Sequence, residues 1–149
     1  MTHYPPNVRV KRLKPQAKLP QYQSSGAAGC DVEACLEHAL DIAPGERHAV
    51  PTGLAFEIPF GFEVQVRPRS GMAFKKGLTV VNAPGTIDSD YRGEVMVLMV
   101  NLGSETVRVD PGDRIAQLVV QRVEQAEWRE VSELAETARG ARGFGSTGV

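Results

Sequence analysis

Apolar and polar residues alternate with a period of two through much of the chain. In GFEVQVRP (61–68), Phe62, Val64 and Val66 share one face, and Glu63, Gln65 and Arg67 the other. VRVKRL (8–13) alternates in the same way, and TVRVDPGDRIAQLVVQRV (106–123) reads as strand, tight turn, strand. Such runs predict half-buried antiparallel strands. Fifteen glycines and ten prolines punctuate them at short intervals.

One run breaks the alternation. EVMVLMVNL (94–102) is apolar at every position from Val95 to Val100 and again at Leu102. A strand apolar on both faces needs cover on its second face, from another sheet or another subunit. Helical character is confined to EWREVSELAET (127–137). No long helix follows any strand, which argues against a doubly wound α/β fold. The expectation is an all-β single domain, a β-sandwich or jelly roll, with one short helix. It should span residues 1–136. Residues 137–149 are Gly-rich and nearly devoid of apolar side chains, and they read as a mobile tail.

Composition narrows the functional classes. The chain has 149 residues, enough for one sizeable core, and 42% of them are hydrophobic. A net charge of -1 gives no global field to recruit nucleic acid or an anionic membrane. No apolar run reaches the roughly 18 residues of a membrane span. The N-terminal stretch lacks the apolar segment of a secretory signal, so a cytoplasmic protein is expected. Cys30 and Cys35 have neither zinc spacing nor His partners, and they read as packed, reduced thiols.

Four segments hold candidate chemistry. VRPRSGMAFKKGL (66–78) carries Arg67, Arg69, Lys75 and Lys76 with no acid, and Gly71 lets backbone N–H groups approach an anion. A solvated basic loop would read the same. VNAPGTIDSDYRGEV (81–95) looks like a hairpin turning at Pro84-Gly85. Asn82 there can read a base edge, Tyr91 can supply a flat wall, and Asp88 or Asp90 can orient a water. A solvated turn is the alternative. In PGDRIAQLV (111–119), Gln117 is the one polar side chain between Arg114 and Gln121. The tail contains GFGSTG (143–148), a G-x-G-x-x-G without the strand and helix of a dinucleotide fold around it. Its Arg139 and Arg142 suit phosphate, and Phe144 suits a base ring, although plain disorder is also compatible. Serine-nucleophile and H-E-x-x-H motifs are missing from the sequence, which disfavours covalent or protein-ligated-metal catalysis.

Together AGCDV (28–32), RSGMA (69–73), NAPGTIDSDYRGE (82–94), GDRIAQLV (112–119) and RGARGFGSTG (139–148) resemble, in order, the five motifs of the homotrimeric dUTP diphosphatases. The resemblance implies a jelly-roll homotrimer whose active sites are shared between subunits. It implies Mg2+-dependent hydrolysis of dUTP to dUMP and pyrophosphate by attack of water on the α-phosphate. That reaction keeps uracil out of DNA and supplies dUMP for thymidylate synthesis. It assigns catalysis to Asp88. Asn82 with Gly85, Thr86 and Ile87 would read uracil, with Met96 nearby, and Tyr91 would lie under the deoxyribose. Arg69, Ser70, Gly71 and Gln117 would hold phosphates. Arg139 would reach the γ-phosphate, Phe144 would stack on uracil, and Gly145, Ser146 and Thr147 would close over the substrate. Mg2+ would need no direct protein ligand, with Asp31 holding one of its waters. Arg142 departs from the pattern, since a glycine usually stands there. The related dCTP deaminases, which share the fold, and a non-enzymatic nucleotide sensor or interaction module are the rival readings. A deaminase would need a glutamate at the 4-amino group, and the hairpin has none before Glu94.

Overall fold

In a computed structural model of the chain, which describes residues 5–143, ten strands and one short helix are formed among those residues. They are β1 (Arg9–Arg12), β2 (Cys30–Glu33), β3 (Leu40–Ile42), β4 (Arg47–Glu57), β5 (Phe62–Arg67), α1 (Ser70–Lys76), β6 (Leu78–Val80), β7 (Gly85–Ile87), β8 (Glu94–Asn101), β9 (Val107–Val109) and β10 (Arg114–Arg122). One four-stranded sheet runs β1-β4-β8-β6 and another β2-β10-β5-β7, with β3-β9 as a separate pair. All the pairings are antiparallel. The all-β expectation holds.

Alternation decides which side chains enter the core. Val64 and Val66 of β5 are buried with Leu118 of β10, and Leu54 and Phe56 of β4 with Val95, Val97 and Met99 of β8. The apolar run 95–100 divides between two faces. Val95, Val97 and Met99 face the core, whereas Met96 and Leu98 remain 36% and 40% exposed. The polar end of β8 is fully buried and satisfied. Asn101 Nδ2 donates to the carbonyls of Ile42 (2.8 Å) and Glu105 (2.7 Å), and its Oδ1 accepts the Gly103 N–H at 2.8 Å. That side chain ties β8 to β3 and to the β8–β9 turn.

Three local expectations are corrected. The helix lies at Ser70–Lys76, not at 127–137, where regular structure is absent. Trp128 and Leu134 are 94% and 86% exposed there, so an amphipathic face would have nothing among the described residues to pack on. An isolated helix of that length is marginal in water. Helix α1 ends at Gly77, whose φ of 68° is the left-handed cap that a side chain resists. The 106–123 stretch does turn at residues 110–113, but its strands part company: β9 pairs with β3, and β10 with β2 and β5. Likewise 81–95 is no simple hairpin. β6 pairs with β8 and β7 with β5, so the Asn82–Pro84 turn carries the chain from one sheet to the other.

Candidate functional site

That crossing builds a pocket of about 260 Å3 between the two sheets. On one side β7 lies on β5, with Gly85 opposite Val66 and Ile87 opposite Val64. On the other, the start of β8 supplies Met96. Asn82, Gly85, Thr86, Ile87, Asp88, Tyr91 and Met96, all singled out in the sequence, line this one pocket. Close approach explains Gly85. A Cβ there would sit 3.2 Å from both Asn82 Nδ2 and Val66 Cβ, tighter than most side chains tolerate. The Tyr91 N–H donates to the Asp88 carbonyl (3.2 Å), which closes the turn that presents both side chains. Tyr91 Oη donates to the Glu94 carbonyl at 3.0 Å. Val66, Glu94, Val95 and Leu98 complete the lining and were not singled out. No Arg or Lys contributes to the lining.

A second cluster gathers Arg69, Gln117 and Asp31. Gln117 in β10 stands opposite Asp31 of β2 and opposite Arg67 of β5. Asp31 is buried, with 5% of its side chain exposed, and two guanidinium groups flank it. Arg114 Nη1 donates to its Oδ2 at 3.2 Å, and Arg69 Nε approaches its Oδ1 at 3.5 Å. Arg69 Nη1 also donates to the Arg114 carbonyl (3.0 Å). A carboxylate removed from water needs such partners. Arg114 stood inside the quoted GDRIAQLV motif, and its pairing with a residue so far back along the chain left no local signal. Asp31 Oδ1 and Arg69 Nε make no hydrogen bond, so an acceptor position on the carboxylate stays free. Ser70 and Gly71 open α1 directly after Arg69. Neighbouring Cys30 is a free, buried thiol whose pKa burial pushes up, partly offset by hydrogen bonds from its own backbone and from Tyr22. Its Sγ donates to the Leu118 carbonyl. Cys35 is likewise free and buried.

The two clusters share strand β5 but no lining residue: Val66 faces the pocket, and Arg67 lies beside Gln117. A larger cleft of about 640 Å3 lies between α1 and the 103–110 segment and holds none of the expected site residues, so size alone does not mark the chemistry. Farther on, Thr137–Arg142 forms a local turn in which Arg139 and Arg142 each donate to the other's carbonyl at 3.0 Å. Phe144, Gly145, Ser146 and Thr147 lie outside the described residues. Among the described residues, no three His, Cys, Asp or Glu side chains cluster to hold a metal, and no helix is long and apolar enough to cross a membrane.

The chain matches one group of known proteins over nearly its whole length. The family model for dUTPase covers residues 15–148, and the chain belongs to the dUTPase family. It is 61% identical over 131 residues to a deoxyuridine 5'-triphosphate nucleotidohydrolase of Desulfotalea psychrophila, covering 88% of this chain and 87% of that one. It is 60% identical over 145 residues to the protein of the same name from Aquifex aeolicus, covering 95% and 96%. The solved Staphylococcus bacteriophage 80alpha dUTPase with dUPNHPP superposes with a TM-score of 0.88 at 26% identity, covering 96% of this chain and 99% of that one.

Proposed function

We propose that the protein is a dUTP diphosphatase, which hydrolyses dUTP to dUMP and pyrophosphate. The observation that carries this reading is the convergence of Asn82, Gly85, Thr86, Ile87, Asp88, Tyr91 and Met96 on one pocket, in a member of the dUTPase family.

Uracil enters between β7 and the start of β8. Asn82 and the main chain of Gly85 to Ile87 read its edge, with Met96 against the ring. The tight turn from Asn82 to Ile87 excludes a 5-methyl group, so thymine is rejected by clash. Cytosine presents the reversed donor and acceptor pattern and leaves polar groups unpaired. Tyr91 packs under the deoxyribose and excludes a 2′-hydroxyl. Asp88 contacts the 3′-hydroxyl, orients the attacking water and accepts its proton as the water attacks the α-phosphate.

The triphosphate requires cations that the pocket lining does not supply. Arg69, Ser70, Gly71 and Gln117 hold the phosphates, and Arg114 joins them beside Asp31. Because these residues form a separate cluster, the reading places them on a neighbouring subunit of a homotrimer, with each active site completed across an interface. Residues 137–149 act as a lid, in which Arg139 reaches the γ-phosphate, Phe144 stacks on uracil, and Gly145, Ser146 and Thr147 close over the substrate.

Mg2+ fits this donor set as an ion carried by the substrate. It favours phosphate oxygens and water over an all-protein cage. Asp31 Oδ1, a buried oxygen without a hydrogen bond, would suit a water of the ion's shell. When bound, the ion neutralises charge on the phosphates. An Asp88→Asn variant should bind dUTP but not cleave it, as read by calorimetry and pyrophosphate release. Cleavage at the wild-type rate would contradict the role of Asp88.

A further inference from the structure

The wall formed by Tyr91 is held from behind. Its ring folds back over Gly93, where any Cβ would collide with the hydroxyl and with Cζ, and its Oη donates to the Glu94 carbonyl at 3.0 Å. The position of the ring therefore follows the main chain of residues 93–94. That main chain is gripped by strand β4 at an irregularity. The β4–β8 register shifts between Pro51 and Ala55, and Gly53 adopts a φ of 68° there. This rotation points the Gly53 N–H toward β8, where Glu94 Oε1 accepts it at 2.8 Å. One residue on, the buried Thr52 hydroxyl donates to the Val95 carbonyl at 2.6 Å. The bulge leaves no space for a side chain at Gly53, where a Cβ would meet Cys35 Sγ at 2.7 Å and Ala17 Cβ at 2.8 Å. Bulges of this kind commonly re-aim side chains beside functional sites.

We propose that Glu94 is a positioning residue for sugar specificity: its carboxylate, locked to the Gly53 N–H of the β4 bulge, fixes the carbonyl that holds Tyr91 against the 2′ position of the substrate. The proposal rests on the dUTP reading of the pocket. It extends that reading from the wall itself to the hydrogen bond that sets the wall's distance from the sugar. Discrimination by exclusion needs a rigid wall, since a ring free to retreat by a fraction of an ångström admits the extra oxygen. Glu94 is suited to the task because a shorter side chain cannot reach Gly53, whereas a glutamine can accept the same N–H.

The test compares pyrophosphate release from dUTP and UTP by wild-type protein and by Glu94→Gln, Glu94→Asp and Glu94→Ala variants, each checked for folding by thermal melting. Glu94→Gln should keep the wild-type ratio of kcat/KM for dUTP over UTP. Glu94→Asp and Glu94→Ala should lower it about tenfold or more, chiefly by raising activity on UTP. An unchanged ratio in the folded Asp or Ala variant would overturn the proposal. If Ala does not fold, the Asp and Gln pair decides alone. A wild-type protein without preference for dUTP would sink the functional reading instead. The Tyr91 ring signals in NMR spectra would then decide the positioning claim: shifted in the Asp variant and native in the Gln variant supports it, and native in both overturns it.

Discussion

Asp31 and Arg69 meet at 3.5 Å in a place where Asp31 is almost wholly shielded from water, and Arg114 closes on the same carboxylate from the other side. Two cations on one buried anion leave net positive charge facing outward beside Gln117. The carboxylate holds the two guanidinium groups together. Replacing Asp31 with Ala would remove the carboxylate shared by both guanidinium groups and leave Arg69 only its bond to the Arg114 carbonyl. They are 27% and 46% exposed, so water screens part of the loss. The expected destabilisation is about 1–3 kcal/mol by urea denaturation. KM for dUTP should also rise if Arg69 and Arg114 hold the phosphates as proposed, because both lose their common anchor.

The tail carries a separate expectation. Deleting residues 139–149 removes Arg139, Arg142 and the GFGSTG run but no strand found among the described residues. Sedimentation should give the same assembly before and after deletion, whereas turnover of dUTP should fall strongly. Full activity after deletion would mean that the segment is not a lid.

Arg142 admits its own comparison. Its guanidinium donates to the Arg139 carbonyl while Arg139 donates back to the Arg142 carbonyl. This pairing engages only Nε of the Arg139 guanidinium. An Arg142→Gly variant removes the bonds that the guanidinium donates to the Ala138 and Arg139 carbonyls, loosens the turn that carries Arg139, and should change KM for dUTP by severalfold. Unchanged KM and kcat would show that Arg142 neither restrains nor assists the tail.

Cys30 makes stability fall at alkaline pH. Burial raises its folded pKa above the unfolded value, so the folded state keeps its proton longer than the unfolded state does. Its contribution is therefore full below the unfolded thiol pKa of about 8.5 and is lost as pH rises through the folded value. A Cys30→Ala variant should show a shallower decline of Tm between neutral and alkaline pH than the wild type. Parallel declines would exclude Cys30 as the cause.

Much of this was legible in the sequence because it is local. The alternation at Phe62, Val64 and Val66 placed β5 and its buried face, and the short NAPGTIDSDY segment kept most pocket residues within a few positions of one another. The 127–137 helix failed because periodicity records an apolar face, not whether anything is present to cover Trp128 and Leu134. The hairpin reading of 81–95 failed because a turn signal at Pro84-Gly85 does not say which sheet receives each strand. Arg114 and Glu94 escaped for a third reason. Their partners, Asp31 and Gly53, lie far back in the sequence, and only the strand order brings them together.

The most direct measurement of the central claim is pyrophosphate release when the protein is incubated with Mg2+ and, separately, dUTP, dCTP, dTTP, dATP, dGTP and UTP. Release from dUTP at a rate at least a hundredfold above the others, on the order expected when a polar site rejects a mismatched edge, together with no ammonia from dCTP, is the predicted result. No release from dUTP would contradict the account.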